Sequence, residues 1–149
     1  TSTETNMRRY GEAIKNSVKY KTRIGAYGII TVGPNILLTE QDGDEVQLPG
    51  GGVDFGEHKI HALIRETYEE TGWKICPLKH LGVYQRYVYM PEYNLWAHKI
   101  CHIYHCLGIY PITAPTEKGH LPFISNPQTA LKIIPNNAEV AFIKRFFDI

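Results

Sequence analysis

Long apolar runs, an excess of one charge sign and paired cysteines are all missing from this chain of 149 residues. No stretch approaches the ~18 consecutive apolar residues that a membrane-spanning helix needs, so no membrane partner is expected. Lys+Arg (16) nearly balance Asp+Glu (15), which argues against a surface built to grip extended nucleic acid. An anionic partner must therefore be held locally. The three cysteines, Cys76, Cys101 and Cys106, are odd in number and form no CxxC pair, and the first residues carry no apolar signal-peptide core. A reduced, cytoplasmic protein is the simpler expectation. Cys101, His102, His105 and Cys106 do crowd together in "KICHIYHC". Strand alternation would send Cys101 and His105 to one face and His102 and Cys106 to the other, so a half-buried strand is expected there and not a zinc site. Residues 1–6, "TSTETN", read as disordered or as a processing remnant ahead of Met7.

What is present suits an ordinary globular domain. Hydrophobic residues make up 43% and charged residues 21%, and the length fits one domain over 1–149. Apolar periodicity and turn residues predict strands at "TRIGAYGIITVG" and "NILLTEQ", joined by a Gly33-Pro34-Asn35 turn, and a short strand "EVQLPGGG" ending in a glycine loop. A helix over about 58–71 follows. Two long strands, "HLGVYQRYVYM" and "LWAHKICHIYHCLGIY", flank a turn at Pro91-Glu92-Tyr93-Asn94. The chain closes with a loop "TAPTEKGH", a short strand "PFI", a helix "NPQTALKII" capped by Asn126 with Pro127 at its start, and a terminal helix "NAEVAFIKRFF". Strands interrupted by helices predict an α+β protein, a mixed sheet sandwiched by helices.

The helix over 58–71 carries the unusual chemistry. At ~100° per residue, Ile60, Leu63, Ile64, Thr67 and Thr71 form one stripe that should pack inward. Glu66, Glu69 and Glu70, spaced i, i+3 and i+4, project together from another side. Like charges at this spacing each cost a helix roughly a few tenths of a kcal/mol, and Glu69 and Glu70 sit near the C-terminal end, where the dipole disfavours anions. A solvated acidic face is one reading. A bound divalent cation is the other, since hard oxygen ligands on one face can hold Mg²⁺ or Mn²⁺. The preceding "LPGGGVDFGE" places Gly50, Gly51, Gly52 and Gly56 where strand turns into helix. Glycines there permit a close main-chain approach to a metal or a phosphate. Glu57 stands at the helix start and Arg65 two turns on, in reach of loop carboxylates.

Residues 51–73, "GGVDFGEHKIHALIRETYEETGW", resemble the signature of the Nudix hydrolase family. Gly51, Glu57, Arg65, Glu66, Glu69, Glu70 and Gly72 stand at its fixed positions. At roughly 6% abundance per residue type, seven matches arise by chance on the order of 10⁻⁹ per start position. Thr67 departs from the pattern, which has an aliphatic residue there. The resemblance implies a Nudix-type α/β/α sandwich and hydrolysis of a diphosphate bond in a nucleoside diphosphate derivative, by water attacking phosphorus with help from Mg²⁺, for which Mn²⁺ can substitute. It implies Glu66, Glu69 and Glu70 as metal ligands, Gly50 as a carbonyl ligand, and Gly51, Glu57, Arg65 and Gly72 as structural support. The general base would come from the helix or a later loop, where "TEKGHLPF" offers Glu117 and His120.

Substrate choice should lie outside the motif. Tyr84, Tyr87, Tyr89, Tyr93 and Trp96 cluster in the long hairpin, where an aromatic can stack on a base or simply fill the core. Tyr87 and Tyr89 are candidates for base contact and Arg86 for a terminal phosphate. Tyr89 stands where dinucleoside polyphosphate hydrolases of the family carry a tyrosine, and Pro91 lies near the proline of ADP-ribose hydrolases. The expected partner is a small nucleotide or nucleotide derivative, and the aromatic hairpin also offers a surface for a homodimer. The competing reading is a catalytically silent nucleotide-binding regulatory module on the same fold. A glycosidase is disfavoured, because acids one turn apart on one helix face do not flank a sugar from two sides.

Overall fold

A long β-branched strand, Lys21–Val32 (β2), runs through the middle of the sheet in the computed structural model, which describes residues 7–149. The other strands are Arg8–Gly11 (β1), Asn35–Gln41 (β3), Glu45–Gln47 (β4), Gly50–Gly52 (β5), Trp73–Met90 (β6), Leu95–Pro111 (β7) and His120–Ser125 (β8). The order is β1-β6-β7-β2-β3-β4, with β5 paired to β2 and β8 to β3. β1 runs parallel to β6 and β2 parallel to β7, while the other pairs are antiparallel, so the sheet is mixed.

Alternation along β2 sends adjacent residues into two separate cores. Ile29 joins Leu38, Tyr84, Cys101, Ile103, Phe142 and Ile143 on the face covered by the helices Pro127–Ile133 (α2) and Asn137–Phe147 (α3). Ile30 joins Ala26, Leu37, Leu63, Ile75, Tyr104 and Cys106 on the face covered by Lys59–Thr71 (α1). The result is the expected α/β/α sandwich. The two buried sulfurs therefore sit on opposite faces of β7, as alternation requires. Side chains cap the helices: Asn126 accepts from Thr129 N at 2.8 Å, and Asn136 accepts from Ala138 N at 2.9 Å and Glu139 N at 3.3 Å. No helix among the described residues is long and apolar enough to cross a membrane.

Several expectations need correction. β1 was not foreseen, and β6 begins directly at Trp73, seven residues before its expected start. Charged segments such as these, the second broken by Pro77, become strands because they pair with long neighbours, which propensity alone does not register. The stretch "EVQLPGGG" is two strands: β4 pairs with β3, while the glycines themselves form β5 against β2. β8 starts at His120, so that residue belongs to the sheet and not to the loop. The reading of residues 1–6 lies outside the described residues.

Candidate active site

Helix α1 is held at both ends by local chemistry. His58 Nδ1 accepts from Ile60 N at 3.1 Å, and Gly72, at φ +72°, ends the helix with its N–H on Tyr68 O at 2.8 Å. Gly72 tolerates this left-handed conformation, and a Cβ there would collide with the Thr113 carbonyl. The chain then returns to this helix end after β7. Ile112 N donates to Gly72 O at 2.7 Å, and Thr116 N and Glu117 N both donate to Glu69 O, at 3.0 and 2.9 Å. These bonds satisfy a terminal helix carbonyl and carry Glu117 to the acidic cluster. Its place there comes from main-chain bonding, which no side-chain pattern announces.

On α1 the stripe differs from expectation at two points. Ile64 is 39% exposed and lies outside the core, whereas Ala62 and Leu63 are fully buried. Glu70, placed with Glu66 and Glu69 on a side other than the packing stripe, is only 4% exposed. Its angular position borders the apolar stripe, and the β5 backbone closes over it: Gly50 N donates to Glu70 Oε1 at 3.0 Å. Gly51 lies against Glu66, where a Cβ would come within 2.6 Å of the Glu66 carboxyl carbon. Gly50, at φ +139°, would drive a Cβ into the Ala26 carbonyl.

Arg65 binds loop to helix. Its Nε and Nη2 fork onto Glu57 at 2.9 and 3.0 Å, Nη2 donates to Gly52 O at 3.2 Å, and Nη1 reaches Glu66 at 3.1 Å and Glu69 at 3.4 Å. The Arg65 fork, followed by the Asp54 N–H, holds the Glu57 carboxyl down at about 2, and Glu57 in return raises the Arg65 guanidinium. Burial raises Glu66 despite Arg65 beside it. Burial also pushes Glu70 up to about 9, with Glu66, Glu117 and Glu69 adding to the rise and the Gly50 amide opposing it. The site thus gathers more negative charge than its protein cations offset.

Ligand atoms of Glu66, Glu69 and Glu117 lie within 4.8 Å of one another, as do those of Glu70, Glu117 and His120. Glu117 is common to both sets. His120, whose side chain is 4% exposed, lies between Thr39 Oγ1 at 3.1 Å from Nδ1 and Glu117 at 3.5 Å from Nε2. A set dominated by hard carboxylate oxygens suits Mg²⁺ or Mn²⁺. The expected residues Glu66, Glu70, Gly50, Glu117 and His120 all line one cleft of about 230 Å³, and Glu69, which does not line it, joins Glu66 and Glu117 in one donor set.

Tyr87, Tyr89 and Arg86 are not among the residues lining this cleft. Tyr87 stacks on His98 at 4.3 Å, and Tyr89 packs on Trp96 and donates its hydroxyl to Asn94 at 2.6 Å. The cleft instead holds residues unremarked in the sequence: Arg23, Tyr27, Gln41, Gln47 and Lys99, together with Tyr93 from the hairpin turn. Arg23 stacks its guanidinium on Tyr93, 4.6 Å from the ring centroid. Only the β2–β5 and β2–β7 pairings bring Arg23, Tyr27 and Lys99 to the glycine strand. Single-strand patterning carries no such signal.

The family model for the NUDIX domain matches residues 21–123. The chain belongs to the NUDIX domain family. A Bacillus subtilis (strain 168) protein, provisionally named as an 8-oxo-dGTP diphosphatase, is 33% identical over 101 residues, covering 68% of this chain and 64% of that protein. An RNA pyrophosphohydrolase of Brucella anthropi is 37% identical over 77 residues, 46% of this chain and 44% of its own. The chain thus spans less than two thirds of the length of these NUDIX relatives. A NUDIX hydrolase from Nitrosomonas europaea superposes with a TM-score of 0.69 at 16% identity, covering 87% of this chain and 73% of the other. A MutT protein from Methanosarcina mazei Go1 gives 0.67 at 21% identity, covering 88% and 96%. These structures share the NUDIX fold seen here.

Proposed function

We propose that this NUDIX chain hydrolyses a diphosphate bond in a nucleoside diphosphate derivative with the help of divalent cations. The observation that carries the reading is the convergence of two carboxylate-rich donor sets on Glu117, beside the glycine strand. Glu66, Glu69, Glu70 and Glu117 would hold the cations, with His120 at the edge of one set. When bound, Mg²⁺ or Mn²⁺ would neutralise phosphate oxygens, lower the pKa of a coordinated water and stabilise the charge that develops on the leaving phosphate.

The chain's own residues prepare the rest. Gly51 and Gly52 leave main chain uncovered at the cleft wall, so a phosphate can approach closely. Arg65 fixes the Gly52 carbonyl, Glu57 and Glu66 in one frame, so that the carboxylates keep their spacing as substrate enters. Glu117 and His120, 3.5 Å apart, are the candidates to take the proton from the attacking water. Tyr93, packed against Arg23 at the cleft, offers a ring on which a base can stack. The names of the relatives, an 8-oxo-dGTP diphosphatase and an RNA pyrophosphohydrolase, favour the same reaction class.

A substrate panel tests this. Nucleoside triphosphates, dinucleoside polyphosphates, ADP-ribose and nucleotide sugars are incubated with Mg²⁺, and products are identified by mass. Cation-dependent anhydride cleavage that falls roughly 10²-fold or more in Glu69→Gln and Glu70→Gln is expected. Binding without cleavage across the panel would overturn the hydrolase reading in favour of a silent nucleotide sensor.

A further inference from the structure

Three cations lie side by side across the sheet next to the carboxylates. Arg23 on β2 is the register partner of Lys99 on β7, and Lys99 is the register partner of Arg86 on β6. β6, β7 and β2 are consecutive in the sheet, so the three side chains share one face. All three are half-buried. Like charges directly opposite each other destabilise a sheet. Yet among the described residues none of the three takes part in an ion pair. Arg65, by contrast, has four carboxylate partners.

The row begins at the site. A Cβ on Gly52 would lie 3.8 Å from the Arg23 guanidinium, while one on Gly51 would meet Glu66. Arg23 and Lys99 line the cleft, and each is braced by an aromatic ring, Tyr93 at 4.6 Å and Tyr27 at 5.9 Å from the centroid. Arg86 continues the row one strand further, beside Gly11 of β1, where any Cβ would come within 2.9 Å of its side chain. Two strand spacings give the row a length of about 10 Å. Glu139, which is 3% exposed and accepts from Leu48 N at 3.0 Å, lies close enough to feel the charge of both Lys99 and Arg86.

We propose that Arg23, Lys99 and Arg86 form a phosphate-reading row, which holds the phosphates remote from the cleaved bond and selects a ligand with three or more phosphates in line over a diphosphate-linked sugar. This rests on the hydrolase reading for the placement of the cleaved bond, but not for the binding itself. Guanidinium forks grip phosphate oxygens in two-point contacts, with Lys99 as a central point charge. The repulsion within the row is the counterpart of the repulsion among the glutamates: Arg65 offsets only part of the glutamate charge and Glu139 only part of the row's, and cation and polyphosphate arriving together would offset the rest. A neutral sugar would leave two of the three cations unmatched.

Calorimetry with the full chain and Mg²⁺ tests the row, using diimidotriphosphate and imidodiphosphate, in which every bridge is a P–N–P link that resists hydrolysis. The wild type should bind diimidotriphosphate at least about tenfold more tightly than imidodiphosphate. Arg23→Gln, Lys99→Gln and Arg86→Gln should each remove most of that ratio while Lys99→Arg keeps it, with thermal midpoints measured for every variant. Equal affinity for the two probes in the wild type overturns the proposal. So does a ratio unchanged in the variants, or a Lys99→Gln effect confined to the thermal midpoint, which would assign the row to neutralising Glu139. If the ratio behaves as expected while no anhydride in the panel is cleaved, the phosphate-reading row stands and the hydrolase reading alone falls.

Discussion

Glu139 shows what one buried acid does to this molecule. Burial pushes its carboxyl up to about 7, against the Leu48 N–H and the nearby Lys99 and Arg86, which lower it. A folded-state value above the unfolded one means that the folded protein holds the proton longer. Stability is then fullest below about 4.5 and is lost as pH rises through about 7. By linkage the loss is on the order of 3 kcal/mol. Glu139→Gln keeps an acceptor for Leu48 and cannot ionise, so urea unfolding from pH 5 to 8 should show a flatter profile than the wild type and greater stability at pH 8. Glu70 titrates under different control. Its carboxyl stands at about 9 in the protein alone, raised first by burial and then by Glu66, Glu117 and Glu69. A cation needs the ionised form, so binding expels a proton. Mg²⁺ affinity should therefore climb as pH rises from 6 towards 9, and calorimetry in buffers of different ionisation heat should detect the released proton.

Helix α1 and strand β5 are the elements on which the site depends. Thr67 is fully buried in α1, and its hydroxyl has no hydrogen-bond partner. An unmatched buried hydroxyl costs about 1–3 kcal/mol. Thr67→Val should raise stability by about 1 kcal/mol in urea unfolding while leaving cation binding unchanged. Gly51→Ala should do the reverse: its Cβ would press on the Glu66 carboxyl, so cation affinity should drop with little change in the unfolding midpoint. The sequence made α1 readable to within a residue, because capping, apolar spacing and Gly72 all agree. The exposure of Ile64 and the burial of Glu70 have one physical reason. A helix face is defined by what covers it, and β5 covers the Glu70 side while leaving Ile64 open. A glycine run carries no strand propensity, so β5 itself was legible only as a loop.

In the whole molecule, long-range pairing decides what one residue cannot. The two-faced sandwich followed from alternating strands and amphipathic helices, and the acidic half of the site followed from the motif on α1. The basic half did not. Arg23, Lys99 and Tyr27 come together through the parallel β2–β7 pairing, which joins residues more than seventy positions apart. Tyr87 and Tyr89 were the more conspicuous aromatics in the sequence, yet they pack on His98 and Trp96 away from the cleft lining. Glu117 reached the cluster through two main-chain bonds to Glu69. If these carboxylates hold divalent cations, a Mn²⁺ titration followed by electron paramagnetic resonance will show it. Wild-type protein should quench the free Mn²⁺ signal, and Glu70→Gln and Glu117→Gln should each weaken binding about tenfold or more. Binding left unchanged in both variants, or no binding by the wild type at millimolar Mn²⁺, would rule out a cation site at these carboxylates.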